Sequence, residues 1–289
     1  MMYFLLAASI VLATVKSSVY NSYAKKVNPN VAQIFLFNTI TYLVGAIVAF
    51  LFGIGESITL ATFLCAIGYA VIVFSLQALS VMAMTMGNMS TISLLVLYGM
   101  IIPALAGPIF WKEKFGILQA IGVVLILISI WLLREKKESG GGKKLAIFAT
   151  LCFIVSGLAG VIEKVHQSTN GRDEKTMLLF VAYLFMLVFS AVGFLFTKSK
   201  FQKQGESIVK KPILIFGAVT GVIVILISQT NLTLAGGLDS LIYYPVANGG
   251  ALLLTVLVSA TIFKEKLTKM RVLGFVLGLV SILLLSFPV

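Results

Sequence analysis

Ten runs of apolar residues, each about 20 residues long, fill nearly all of this 289-residue chain. They cover 2–23, 31–52, 60–84, 89–111, 115–133, 145–164, 177–197, 212–234, 240–263 and 272–288. At a helical rise of 1.5 Å per residue such a run spans roughly 30 Å, the thickness of a bilayer's hydrocarbon core. Lipid offers no partner for a backbone N–H or C=O, so runs this long can cross it only as helices. The expected fold class is an all-α membrane protein with ten transmembrane helices. The first run has no basic leader and full span length, so it is expected to remain as a membrane helix.

Hydrophobic residues make up 60% of the chain and charged residues 11%, with a net charge of +12. In a soluble protein that charge would point to nucleic acid. Here nearly all Lys and Arg sit in short connections, where they carry orientation instead. The expected partners are the lipid bilayer and a small-molecule substrate, with no nucleic acid; the oligomeric state, monomer or homodimer, stays open. Cys65 and Cys152 both lie inside apolar runs as buried thiols, so neither a disulfide nor a metal site is expected. The sequence has no HExxH, no intramembrane aspartate pair, no GxSxG within a span and no Walker A loop. It therefore offers no catalytic residue, no cofactor and no coupling to ATP.

The sequence repeats. Phe110-Trp111-Lys112-Glu113-Lys114-Phe115, ending the fourth run, returns as Ile262-Phe263-Lys264-Glu265-Lys266-Leu267 at the end of the ninth. Gly122 matches Gly274 at the same offset. Ser17-Ser18 and Lys25 correspond to Ser156-Gly157 and Lys164, and Gly87-Asn88-Met89-Ser90 to Gly236-Gly237-Leu238-Asp239. Two five-helix repeats, over 1–134 and 145–289, are joined by a charged, Gly-rich linker at 135–144. Five is odd, so the second repeat enters the membrane from the opposite side, which gives an inverted pair. The loops after runs 1, 5, 7 and 9 hold sixteen Lys and Arg, against five after runs 4 and 6 (Lys112, Lys114, Lys164, Arg172 and Lys175). This asymmetry places both termini outside.

These marks resemble the drug/metabolite transporter superfamily in its ten-helix, EamA-like form, and the resemblance covers almost the whole chain. It rests on the Glu closing the fourth helix of each repeat (Glu113, Glu265), the Gly nine residues later (Gly122, Gly274), and the small-residue patch followed by Lys in each first helix (Ser18 to Lys25, Gly157 to Lys164). The resemblance implies alternating access around a midplane site, peripheral fifth and tenth helices, and cytoplasmic termini, the last against the charge count. Family members usually carry an aromatic residue in the first-helix patch, where this chain has Lys16-Ser17-Ser18. The small multidrug transporters, which resemble one repeat, use a mid-membrane Glu in that helix for proton exchange with cations. Here all ten Asp and Glu fall in loops or near helix ends, which disfavours that chemistry.

Lys16 stands about 13 Å inside the membrane by helical rise from Lys25. A lysine at that depth costs roughly 2.5–3.5 kcal/mol unless it faces water or a partner. It is a candidate anchor for a carboxylate or phosphate; the competing reading pairs it with backbone carbonyls or lets it snorkel outward. Tyr20, Asn38, Tyr69, Tyr98, Gln229, Asn231, Tyr243, Tyr244 and Asn248 are candidate substrate-binding residues, because polar groups in hydrocarbon turn inward; Asn21, Tyr42, Gln77 and Ser93 belong to the same set. For any one of them a helix-to-helix hydrogen bond is the rival role. Pro103, Pro108, Pro245, Gly249 and Gly250 are candidate gating or bending positions. Glu113 and Glu265 are expected to anchor helix ends and neutralise neighbouring lysines, and His166 to lie just past the sixth run.

The function expected from these residues is secondary active or facilitative transport of a small polar or anionic metabolite, such as an amino acid, organic acid or nucleotide-related compound, across a bacterial cytoplasmic membrane. A broad-specificity drug exporter of the same superfamily and a non-transporting membrane receptor or scaffold are the alternatives.

Overall fold

The computed structural model describes residues 1–86, 95–114, 116–133, 143–169, 171–202, 209–261 and 268–287. Every regular element among them is helical: α1 (Met2–Val27), α2 (Val31–Phe52), α3 (Leu60–Met86), α4 (Ile101–Trp111), α5 (Ile117–Leu133), α6 (Lys143–Ser168), a 3₁₀ turn (Gly171–Glu174), α7 (Lys175–Gln202), α8 (Lys211–Gly237), α9 (Ser240–Thr261) and α10 (Lys269–Leu285). Of these, α1, α2, α3, α6, α7, α8 and α9 are long and apolar enough to cross a membrane. The fourth and fifth runs give shorter apolar helices, Leu95–Trp111 and Ile117–Leu133, and α10 has 17 residues. Large apolar side chains stand bare on the outside, among them Phe52, Ile109 and Phe196 at 71%, 70% and 80% exposure. Water would not tolerate so much apolar surface. The chain is an all-helical, multi-pass membrane protein.

Local chemistry sets the helix ends. Asn30 accepts from the Gln33 N–H while the Gln33 side chain accepts from the Asn30 N–H, a capping box that starts α2. Thr268 caps α10 through the Arg271 N–H. Several helices overrun the apolar runs: α6 begins at Lys143 and ends at Ser168, and α7 extends to Gln202. Backbone hydrogen bonding continues through flanking polar residues, since their side chains can reach the interface while the backbone stays helical.

Contacts divide the chain into two compact units that do not follow the sequence halves. The first comprises Met1–Thr14, Ser75–Val165 and Leu234–Val289; the second comprises Val15–Phe74 and His166–Thr233. Each draws helices from both sides of the 135–144 segment.

In the first unit α5 and α10 pack antiparallel through reciprocal contacts. Ser129 Oγ donates to the Gly274 carbonyl at 2.6 Å, and Ser281 Oγ donates to the Gly122 carbonyl at 2.7 Å. Leu285 covers Gly122 as Leu133 covers Gly274. Gly274, Ser281 and Leu285 each stand 152 residues after Gly122, Ser129 and Leu133. Small residues let the two backbones approach until a serine of one helix reaches a carbonyl of the other, the usual currency of association in lipid.

In the second unit α2 and α7 show the same reciprocity with different residues. The Tyr183 ring covers Gly45, and the Phe35 ring covers Gly193; Gly193 and Tyr183 lie 148 residues after Gly45 and Phe35. Ser190 Oγ donates to the Phe35 carbonyl, and Tyr42 stacks on Tyr183.

Candidate functional site

Within the second unit, Lys16 lies on α1, half-buried. Among the described residues no carboxylate pairs with it. One helical turn on, Tyr20 meets Phe37 edge-on at 5.8 Å, and Phe37 stacks on Tyr23 at 4.4 Å. Asn38 and Tyr69 are buried, and Gln229 and Asn231 half-buried. Asn21, expected to turn inward, is exposed, whereas Tyr42 is buried against Tyr183, whose hydroxyl lies 2.8 Å from Ser228 Oγ.

Two carboxylates of this unit, Glu56 and Glu174, are committed to helix starts. Glu56 accepts from the Thr176 and Met177 N–H groups at 3.0 and 3.1 Å, capping α7. Glu174 accepts from the Thr59 N–H and hydroxyl at 3.0 and 2.8 Å and from Ser57, capping α3. Anions suit both places, where unpaired N–H groups and the helix dipole converge. Hydrogen bonds from the Thr62 side chain, then from Thr59 and Ser57, hold the Glu174 carboxyl below the usual carboxylate range against the opposing effect of burial.

His166 was expected past the sixth run, but α6 continues to Ser168 and carries it inside, 1% exposed. Its Nε2 lies 3.0 Å from Thr62 Oγ1, and its Nδ1 lies 3.0 Å from the Gln167 amide nitrogen. With that amide donating to Nδ1, the ring proton sits on Nε2 and points to Thr62, whose own proton goes to Glu174.

The first unit holds a charged knot. Lys112 closes α4 in the left-handed region at φ 54°, its N–H bonded to the Gly107 carbonyl. The turn sends the Glu113 carboxylate back along α4, into space that any Cβ on Gly107 would occupy. There it lies 2.6 Å from Lys164 Nζ and accepts from the Ser240 N–H at 2.6 Å and the Ser240 hydroxyl at 3.2 Å. Lys164 gives a further hydrogen bond to the Leu238 carbonyl. The Lys164 and Glu113 side chains are only 10% and 8% exposed. One carboxylate thus ties the end of α4 to the end of α6 and the start of α9.

Two expectations change here. Glu113 neutralises Lys164, not its neighbours Lys112 and Lys114, and Lys164 is a buried helical residue, not one of the loop cations among which it was counted. The repeat marked Glu113 and Lys164 separately, yet nothing in one sequence joined them. Their counterpart Glu265 falls outside the described residues, as does Ser93.

On α9, the Tyr244 hydroxyl donates to the Gly160 carbonyl at 2.6 Å, Tyr243 packs on Tyr244, and Asn248 Nδ2 donates to the Tyr244 carbonyl at 2.9 Å. Tyr98 donates to the Leu127 carbonyl. The helix runs unbroken through Pro245. Gly249 and Gly250 are places where Ile126 and Ile10 press against the backbone. Pro103 is buried against Gly160, and Pro108 lies inside α4.

No protein-family model matches the chain, and no curated protein sequence does. A solved structure described as "Crystal structure of protein" aligns over 99% of this chain and 96% of its own, with a TM-score of 0.77 at 13% identity. At that identity the likeness is one of fold.

Proposed function

We propose that the protein is a secondary or facilitative transporter of a small anionic or zwitterionic metabolite, working by alternating access in a bacterial cytoplasmic membrane. The carrying observation is Lys16: a cation midway along a spanning helix, with no described carboxylate paired to it. A buried ammonium without a counter-ion favours an anion. Tyr20, one turn further along α1, is the candidate second contact. An amino acid, organic acid or nucleotide-related compound fits this chemistry.

The reciprocal α5/α10 and α2/α7 contacts, made by residues at matched positions of the two halves, support an inverted five-helix repeat with α4, α5 and α10 completing ten spans. The same repeat marks support the EamA-like reading, in which two halves rock about a midplane site. The charge asymmetry supports outside termini; a fluorescent protein fused after Val289 should stay dark, and bright cells would overturn that orientation.

The test is uptake by proteoliposomes of labelled anionic, zwitterionic and cationic metabolites. Anionic or zwitterionic compounds should accumulate. Lys16→Met should lower that uptake tenfold or more, since an ionic hydrogen bond contributes about 1.5–3 kcal/mol, and Lys16→Arg should keep part of it. Uptake of cations alone, or normal uptake by Lys16→Met, would overturn the reading.

A further inference from the structure

Lys16 belongs to one continuous stripe on α1. Lys16, Tyr20, Tyr23 and Val27 follow one another at intervals of four, three and four residues, which stacks them on one side of the helix. Packing closes the outer half of that stripe. Tyr23 and Val27 form a buried cluster with Phe37 of α2 and Ile213 of α8, and Tyr20 and Phe216 pack against it. On α8, Ile213, Phe216 and Thr220 follow at intervals of three and four, so Thr220 continues the face that meets α1.

The register of the three helices sets the level of Thr220. The short connection Asn28–Asn30 turns α1 back into α2, and Tyr23 stacks on Phe37. α2 and α8 run parallel: the Phe37 carbonyl lies against Gly217, the Thr41 carbonyl lies against Gly221, and the Thr41 hydroxyl donates to the Gly217 carbonyl. α8 is therefore antiparallel to α1, with Phe216 6.0 Å from Tyr23. One turn further from the connection, Tyr20 on α1 and Thr220 on α8 reach the same level to within about one residue's rise, and Lys16 follows a turn beyond.

Three polar groups thus come to the inner edge of an apolar cluster, and the fold uses none of them. Thr220 is 4% exposed, and its Oγ1 finds no hydrogen-bond partner among the described residues. Thr230 and Thr233 of the same helix each donate to the carbonyl four residues back, an outlet that the Thr220 hydroxyl does not take. No hydrogen bond or ion pair among the described residues engages Lys16 Nζ or the Tyr20 hydroxyl. An ammonium and two hydroxyls are donors that together carry one positive charge. A carboxylate accepts several hydrogen bonds and carries one negative charge, so it answers all three and leaves the site neutral. A dianion would leave a charge uncompensated at depth, and the two stripes contain no acid to receive a ligand's own cation.

We propose that Lys16, Tyr20 and Thr220 together hold the carboxylate of a monocarboxylic acid whose remaining body is apolar. The inference rests on the transport reading of Lys16 and narrows its substrate to that class.

Benzoate, phthalate and benzylammonium share a ring and differ in charge, and thermal shift of the purified full chain ranks their binding. Benzoate should bind at least tenfold more tightly than the other two. Thr220→Val keeps the branched shape and removes only the hydroxyl. It should hold or raise the ligand-free Tm, since an orphaned group is lost, and should weaken benzoate tenfold or more, since the lost bond is to a charged group. Thr220→Ser should restore most of the affinity. Unchanged benzoate binding in Thr220→Val, or a fall in its ligand-free Tm, would overturn the proposal, and if Lys16→Met still abolished binding the anion reading of Lys16 would stand. Phthalate binding as tight as that of benzoate, or no benzoate binding alongside anion uptake that depends on Lys16, would also overturn the proposal alone. Benzoate binding that survives Lys16→Met, or stabilisation by benzylammonium only, would overturn both.

Discussion

In the first unit Lys164 lies 2.6 Å from Glu113 and bonds the Leu238 carbonyl, whereas in the second Lys16 stands midway along a spanning helix with no carboxylate beside it among the described residues. Both are half-buried or deeper, and both are lysines on long apolar helices, α6 and α1. The difference is what surrounds the ammonium. Where a charge serves the fold, the chain supplies a counter-charge, a backbone carbonyl and a glycine that makes room. Where none is supplied among the described residues, as at Lys16, we propose that a transported anion supplies it. Buried charge is therefore informative only together with its partners.

The comparison breaks most sharply at Glu113. Glu113→Gln removes the counter-charge and leaves Lys164 uncompensated in a nearly closed site, which should cost about 3–5 kcal/mol. Thermal unfolding of the purified protein should show a large fall in Tm, and adding Lys164→Met should recover much of it. A fall that the second substitution deepens would show that the pair is not the unit of stabilisation. Lys16→Met is the mirror experiment. Removing an ammonium that no described carboxylate pairs should hold Tm or raise it, with a gain in stability of up to about 2.5–3.5 kcal/mol, while uptake falls tenfold or more. A Tm that drops as it does for Lys164→Met would place Lys16 in a hidden structural pair and erase the contrast.

These two lysines also mark how far one sequence can be read. The depth of Lys16 was legible because helical rise converts residue count into distance. The ends of α2 were legible because Asn30 and Gly53 bracket an unbroken apolar run. The Glu113–Lys164–Ser240 knot was not, since its members lie far apart in the chain and meet only through packing of three helix ends. The burial of His166 was hidden by a helix that continues past its apolar stretch. Of the named candidates, Lys16, Tyr20, Asn38, Tyr69, Gln229 and Asn231 fall in the second unit, and Tyr98, Tyr243, Tyr244 and Asn248 in the first; Asn21 is exposed and Ser93 lies outside the described residues. Polarity within an apolar run identified groups that need partners, but not which partner each finds.

Glu174 extends the contrast to an acid that is fully served. Its folded-state pKa is depressed by the Thr62, Thr59 and Ser57 bonds. Its contribution is therefore complete above the ordinary carboxylate pKa and is lost as pH falls through that value toward the lowered one. Unfolding temperature should decline on acidification below about pH 4.5, and Glu174→Gln should flatten that limb while lowering Tm modestly at pH 7. An acid limb unchanged in Glu174→Gln would assign it to other carboxylates.

The smallest stability effect is expected at Asn248, where the two roles of a polar group in a spanning helix can be separated. Its Nδ2 bonds the carbonyl of Tyr244, four residues back on the same helix, and the side chain is half-buried. Such a back-bond adds little to a helix, because the carbonyl is already within reach of the regular backbone ladder. Asn248→Ala should cost no more than about 0.5–1 kcal/mol. As a substitution at a proposed ligand contact it should nonetheless weaken the binding of whatever metabolite the uptake assay identifies, because water can replace the amide in the fold but not its directed bond to a ligand. Binding measured by ligand-induced thermal shift reads both quantities on one sample. Unchanged ligand stabilisation with a Tm fall beyond that range would make Asn248 a packing residue like Ser129 and Ser281, and would leave Lys16 and Tyr20 as the principal candidate ligand contacts.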